Sequence, residues 1–216
     1  MSKTRKNKSK WKIQRRLGLE LPGLGRPGAL SKRSYAPGDH GAARKRSTDY
    51  GMRLEEKQKL MFHYGLREQQ MRHFIKRAKK HSKAFWLEAF FTFLESRLDN
   101  IVFRLGFAAS IPAARQMVRH GKVLLKEKGA SDAKKITIPS YIVNEGAEIS
   151  LVDSFYELNV YIQTRQKPRL ELPSYLNLKA DKKKDIGELI ALPGSAHIPF
   201  AIEKRYIAEF YTKVKP

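Results

Sequence analysis

The chain has 216 residues, with 44 Lys and Arg against 21 Asp and Glu, a formal net charge of +23. That excess points to a polyanion, nucleic acid before an anionic membrane, and away from small acidic substrates. There is no cysteine, which excludes disulfides, thiolate zinc sites and thiol catalysis, and the longest apolar run, 84–94, carries Glu88 and is too short to span a bilayer.

The first fifty residues hold 14 Lys and Arg against Glu20, Asp39 and Asp49, nearly half the net charge, with almost no apolar periodicity. Such a segment buries too little surface to fold by itself. The opening Met-Ser-Lys-Thr-Arg-Lys lacks the apolar stretch of a secretory signal, as expected of a cytoplasmic chain. Gly and Pro force turns at 21–28 and again at 36–41. Trp11, Ile13 and Leu17 suggest a short amphipathic anchor. Residues 1–46 are therefore expected to be a basic extension that orders on its partner.

Helical character begins near Arg53, with Asp49 as N-cap, Leu54, Met61 and Tyr64 near helical spacing, and Gly65 as the stop. A second helix is expected over 67–80. Met71, Phe74, Ile75 and Ala78 form its inner stripe, and Arg72, Lys76, Arg77, Lys79 and Lys80 load its outer face. Residues 84–105 carry the strongest period: Leu87, Phe90, Phe91, Leu94, Leu98, Ile101, Val102 and Leu105. That stripe is core, and Glu95, Arg97, Asp99, Asn100 and Arg104 fall on the other faces. Gly106 stops the helix. Ser110 caps the next, with Pro112 in its first turn, Arg115 and Arg119 outward, and Gly121 at its end.

From Lys122 the period changes. Val123–Leu125, Ile136–Ile138, Tyr141–Val143 and Glu148–Val152 read as short strands of an antiparallel sheet. Residues 156–163 fit strand or helix, and 165–200 read as loop with four prolines. Tyr206, Ile207 and Phe210 mark a short packed element near the end. The fold class is α+β: an extended basic arm, a helical domain, and a small domain of two helices on a short antiparallel sheet.

No catalytic constellation emerges. The six histidines show no metal spacing such as H-E-x-x-H, the carboxylates lie mostly beside Lys or Arg, and Ser110 reads as a cap. No catalytic residue, metal ligand or cofactor is assigned.

Two stretches are familiar. Leu94-Glu95-Ser96-Arg97-Leu98-Asp99-Asn100-Ile101-Val102-Phe103-Arg104-Leu105-Gly106-Phe107, followed by 114–122, resembles the RNA-binding domain of bacterial-type small-subunit ribosomal protein four, a module shared with tyrosyl-tRNA synthetases and pseudouridine synthases. Ala36-Pro37-Gly38-Asp39-His40-Gly41, Ser47-Thr48-Asp49-Tyr50-Gly51, 53–60 and 206–213 resemble the ribosomal protein itself, in order along most of the chain. The resemblance implies an extension over 1–46, a helical domain over 47–93 completed by 200–216, and an α+β RNA-binding domain over 94–199. It implies a constituent of the cytoplasmic small ribosomal subunit (or an organelle's) that binds the 5′ domain of its ribosomal RNA early in assembly. It further implies contact with the neighbouring fifth small-subunit protein and with messenger RNA at the entry side, an influence on decoding accuracy, and no membrane partner.

Two departures stand out. Many relatives carry four N-terminal cysteines, absent here, and the family's tight Val-Asn-Gly turn is replaced by a longer charged loop over 124–135.

Duplex RNA is recognised by shape, phosphates and 2′-hydroxyls, a task suited to the forked Arg side chain. Helical spacing lets Arg97, Asn100 and Arg104 present together, beside Arg115 and Arg119, with His120 and Lys122 at the end of that helix. Arg53, Lys57, Arg67, Arg72 and Lys76 widen the footprint. The arm adds Lys10, Lys12, Arg15, Arg16, Arg44, Lys45 and Arg46. The competing readings are an RNA-modifying enzyme, for which 216 residues leave no obvious catalytic domain, and a ribosome-associated factor, which would match only the small module. Removing residues 1–46 is expected to weaken rRNA binding and flatten its salt dependence; an unchanged slope in filter binding would exclude the arm as a contact.

Overall fold

The computed structural model describes residues 9–25, 27–43, 46–180 and 184–213. In chain order these form α1 (Lys10–Leu17), α2 (Ala29–Lys32), α3 (Asp49–His63), α4 (Glu68–His81), α5 (Trp86–Glu95), α6 (Leu98–Arg104), α7 (Ile111–Arg119), β1 (Val123–Lys126), β2 (Lys134–Lys135), β3 (Glu148–Leu151), α8 (Asp153–Tyr156), α9 (Asn159–Gln166), β4 (Leu176–Ala180), β5 (Asp185–Leu189) and α10 (Lys204–Lys213). The sheet is antiparallel with spatial order β2-β1-β3-β5-β4.

Local chemistry explains most boundaries. Thr48, one residue before the expected Asp49, caps α3 through its hydroxyl, which accepts from Gly51 N at 3.1 Å. Tyr64 ends that helix and Gly65 turns left-handed at φ 57°. Ser110 caps α7 as expected, accepting from Ala113 N. Gly106 and Gly121 take φ 74° and 64° where helix stops were expected.

The single helix expected over 84–105 is two. α5 stops at Glu95, and Arg97 takes an extended conformation at ψ 137°. The opened N-terminus of α6 finds its acceptors across the chain: Leu98 N donates to Tyr141 O (2.8 Å) and Asp99 N to Pro139 O (3.1 Å). Arg97 and Ile142 form a lone antiparallel bridge. Tyr141–Val143 therefore serves this helix junction and is not a strand of the sheet. Ile136–Ile138 is likewise not a strand, although Ile136 N still donates to Val123 O.

The expected loop over 165–200 contains a hairpin, β4–β5. Its prolines, Pro168, Pro173, Pro193 and Pro199, all lie outside the paired residues, where a missing N–H costs no ladder bond. Of residues 156–163, Tyr156 ends α8 and 159–163 lie in α9, with a turn at 157–158 between them.

The sheet, α6 and α7 enclose one core, which includes Leu98, Ile101, Val102, Phe107, Val118, Val123, Ile149, Leu189, Tyr161 and Tyr175. A second core joins α3, α4, α5 and α10 through Leu60, Tyr64, Met71, Phe74, Phe90, Phe91, Leu94, Ile207 and Phe210. The helix near the end thus returns to the first helices.

A third cluster alters the expectation for the arm. Leu17, Leu21 and Leu24 are buried together, packed by Ile13, Leu19, Phe62 and Phe200. Gln14 accepts from Leu21 N (2.9 Å), and the Glu20 carboxylate accepts from Gly28 N and Leu30 N at the start of α2. Gly23, at φ 76°, lies against the Phe103 ring, which an added Cβ would approach to 2.7 Å. Arg169 donates to Gly25 O at 2.9 Å. Three leucines and these intrachain acceptors give the described part of the segment partners within the chain. Deleting residues 1–46 would therefore also uncover this apolar cluster, and neutralising the exposed Lys10 and Lys12 is the cleaner charge test.

Gly187 on β5 lets the sheet meet α6. A Cβ there would fall 2.3 Å from the Cδ1 of Leu105, itself 1% exposed. Gly187→Ala is expected to lower stability by about 1–3 kcal/mol, the usual cost of overpacking, read from urea unfolding.

Candidate nucleic-acid interface

The polar residues of 95–104 turn inward, because the break at Ser96 and Arg97 redirects α6. Glu95 is 0% exposed. Its carboxylate accepts from Tyr64 OH, from Tyr175 OH (2.9 Å), from Asn100 Nδ2 (3.0 Å) and from Arg104 Nη2 (3.2 Å). Arg104 also donates to His197 O. One carboxylate thus collects α3, α6 and the segment before β4. Burial, then the charge of Glu95, holds the Tyr64 and Tyr175 phenols well above their ordinary pKa, so both remain neutral donors.

A second buried acid, Asp99, does similar work. Arg97 grips it through Nε (2.9 Å) and Nη2 (2.7 Å) and lies over the Phe74 ring at 5.4 Å. Arg115 reaches the same carboxylate at 2.7 Å and donates to Gly65 O (2.7 Å) and Tyr64 O (2.8 Å). That fork fastens α7 to the α3–α4 turn.

The compact donor patch expected from Arg97, Asn100 and Arg104 is thus corrected. These three are 2%, 0% and 5% exposed and donate to Asp99, Glu95 and His197 O, with only Arg97 Nη1 among their buried donors left without a partner in the described residues. They hold the protein together, and Arg115 is largely committed to the same task. Lys57 is also buried, on the Glu68 carboxylate and over the Phe210 ring. Arg53 pairs with Glu209, and Arg72 with Glu68. Arg15 donates to Tyr35 O and Ala36 O; Arg16 donates to Gln58 and covers the Phe62 ring. Arg44 and Lys45 lie outside the described residues.

The others face solvent. Lys10, Lys12, Arg46, Arg67, Lys76, Arg119 and His120 are exposed, and Lys122 is half-buried. The C-terminal end of α7 gathers polar and cationic groups: Arg119, His120 and Lys122 lie within four residues, and the stem of Lys135 crosses Gly121, 2.7 Å from where a Cβ would stand. Lys134 and Lys135 on β2, both exposed, are missing from the set expected from sequence. Their signal was present as the charged stretch 126–135, but its pairing beside β1 was not readable. Among the described residues no cluster of His, Asp and Glu has the makings of a metal site, and no helix is long and apolar enough to cross a membrane.

Comparison with known proteins agrees with this layout. Residues 5–95 match the family model described as the ribosomal protein S4/S9 N-terminal domain, and residues 96–149 match the S4 domain. The chain belongs to the ribosomal protein S4 family. The junction between the two matches falls at the break between α5 and α6. Among relatives, the small ribosomal subunit protein uS4B of Bdellovibrio bacteriovorus is 48% identical, covering 94% of this chain and 95% of its own. The uS4 of Leuconostoc citreum is 39% identical over 95% of this chain and 96% of its own, and the uS4B of Nitrosomonas europaea is 40% identical over 93% and 94%. These relatives are named as ribosomal proteins and not as enzymes.

His63 sits where arm, α3 and tail converge, 4.7 Å from the Tyr64 ring and 4.9 Å from that of Phe200. It is 1% exposed, and neither ring nitrogen has a hydrogen-bond partner of ordinary geometry. Burial, helped by the charge of Arg104 and weakly opposed by the Pro22 carbonyl, lowers its pKa to about 3. The unfolded chain then binds a proton that the folded one refuses. Stability is expected to be full above about pH 6.5 and to fall by up to several kcal/mol as the pH drops towards 3. His63→Phe is expected to flatten that loss between about pH 6.5 and 5, above the range where carboxylates titrate, in urea unfolding across pH. Glu95→Gln strands Arg104 as a buried charge and is expected to cost about 3–5 kcal/mol in the same measurement.

Proposed function

We propose that the protein is a structural constituent of the small ribosomal subunit that binds its ribosomal RNA through exposed cations on a rigid body. Family membership over nearly the whole chain carries this reading. A chain with 44 Lys and Arg against 21 Asp and Glu supports it. In this reading the protein works in the cytoplasmic small subunit, as its bacterial relatives' names imply.

The contact surface is best drawn around the free cations. Arg119 and Lys122, with Lys134, Lys135 and the neighbouring His120, form one part of it; Arg67 and Lys76 extend it along α4, and Lys10, Lys12 and Arg46 along the arm. Each neutralised phosphate releases condensed counterion, so binding falls steeply with salt. The buried arginines contribute indirectly, by fixing the angle between the helical body and the sheet domain, which shape recognition of a helix junction requires.

Finer roles follow from the family resemblance: early binding to the 5′ domain, nucleation of its assembly, contact with the fifth small-subunit protein, messenger RNA at the entry side, and an effect on decoding accuracy. Stoichiometric co-sedimentation with small subunits in a sucrose gradient tests the central claim, and absence from those particles would overturn it. Arg119→Ala with Lys135→Ala is expected to weaken binding to a 5′-domain transcript and to reduce the log–log salt slope by about one unit for each phosphate no longer neutralised. Filter binding across a salt series reads both.

A further inference from the structure

A groove of about 640 Å³ opens between α4, α5, residues 142–144 and Leu192. That volume lies within the range of roughly 300–1,000 Å³ typical of sites for single small molecules. Its walls differ in chemistry. Arg77, Lys80 and His81 come from the last turns of α4, while Phe93, Ile142 and Leu192 supply apolar surface. No acidic side chain lines it, and among the described residues no carboxylate pairs with Arg77 or Lys80.

The wall is already organised. The Arg77 guanidinium carbon lies 4.6 Å from the Phe93 ring centroid, and the His81 ring meets Phe93 edge-on at 5.9 Å. Arg77 therefore keeps its donors for an anion while its flat face rests on an aromatic. Ser96, which also lines the groove, is 1% exposed and its Oγ has no hydrogen-bond partner. A buried hydroxyl left unpaired costs free energy that a ligand's polar edge would recover.

The groove thus asks for a flat, partly apolar group with a negative charge at one end and a hydrogen-bonding edge. We infer that it takes one unpaired nucleotide of the bound RNA, with the base against Phe93 and Leu192, the phosphate on Arg77 and Lys80, and a base-edge group on Ser96 Oγ. Unpaired RNA bases are read in this way, by stacking on aromatic or guanidinium planes and hydrogen bonding at their edges. The exposed Lys76, Lys80 and Lys83 continue the positive surface around the end of α4, which suits a phosphate chain better than a protein segment. The inference rests on the rRNA-binding reading and adds a base-contacting site to a shape-and-phosphate interface.

The test is 2′-hydroxyl acylation footprinting of a small-subunit 5′-domain transcript bound to the full chain. Two variants probe the groove: Leu192→Glu, at a residue 57% exposed, and Arg77→Ala with Lys80→Ala. The wild type is expected to protect an unpaired nucleotide that regains reactivity with either variant while the rest of the footprint persists. Affinity should fall roughly five- to a hundred-fold, the usual effect of removing a stacked base. Circular dichroism verifies each variant's fold, and either variant alone is sufficient. Folded variants with wild-type affinity and an unchanged footprint would overturn the inference. So would protection that arises only when another ribosomal protein is added, which would give the groove to a protein segment. A wild type that leaves no footprint at all would instead overturn the rRNA-binding reading.

Discussion

Two buried carboxylates organise the molecule. A carboxylate taken out of water must find compensating donors, or the free-energy cost is several kcal/mol. Glu95 meets this demand with two phenols, an amide and a guanidinium drawn from three parts of the chain. Asp99 meets it with Arg97 and Arg115. Because those donors belong to the end of α3, to α6 and the residue before it, to α7 and to the turn leading into β4, satisfying the acids forces the helical body and the sheet domain into one relative placement. Apolar packing alone would permit sliding; charge-assisted hydrogen bonds are directional and do not.

This arrangement changes how the positive charge should be understood. Many of the chain's arginines are consumed internally, on acids and on carbonyl oxygens of turns such as Tyr64–Gly65 and Tyr35–Ala36. Among the described residues the exposed cations are mostly lysines, with Arg33, Arg46, Arg67, Arg77, Arg119, Arg169 and Arg205 beside them. The division is physically sensible. A planar fork can bridge two fixed acceptors in a tight site, whereas a flexible ammonium can follow a phosphate backbone. A protein whose partner is a rigid RNA outline needs both, a fixed frame and adaptable contacts on its surface.

The arm shows the same economy. Its described part is fastened by three leucines and by side-chain acceptors on Gln14 and Glu20. Arg15 and Arg16 lie over Tyr35 and Phe62, so part of the arm's charge serves cohesion. The basic extension and the folded body therefore share one surface, and Gly23 against Phe103 joins that surface to the sheet domain.

Local rules were enough to read much of this from the residues. The stripes Met71–Ala78 and Leu87–Leu94, the cap at Ser110, the left-handed glycines at 65, 106 and 121, and the apolar residues of 206–210 each depend on neighbours within a turn or two, and a sequence displays such neighbours directly. The ordered motifs of 36–60 and 94–122 carried the family and with it the function. Direction at the break after Glu95 was not readable, because the acceptors that release α6 from α5 sit on Pro139 and Tyr141, forty residues away. Nor was the fate of Arg97, Asn100 and Arg104: helical spacing places them together, but whether they meet solvent or a buried acid depends on which surfaces close over them. The hairpin β4–β5 was hidden for the same reason, since its strands are short and defined mainly by each other and by β3. What acts over one or two turns is written along the chain; what a buried charge pairs with is decided only when distant segments meet.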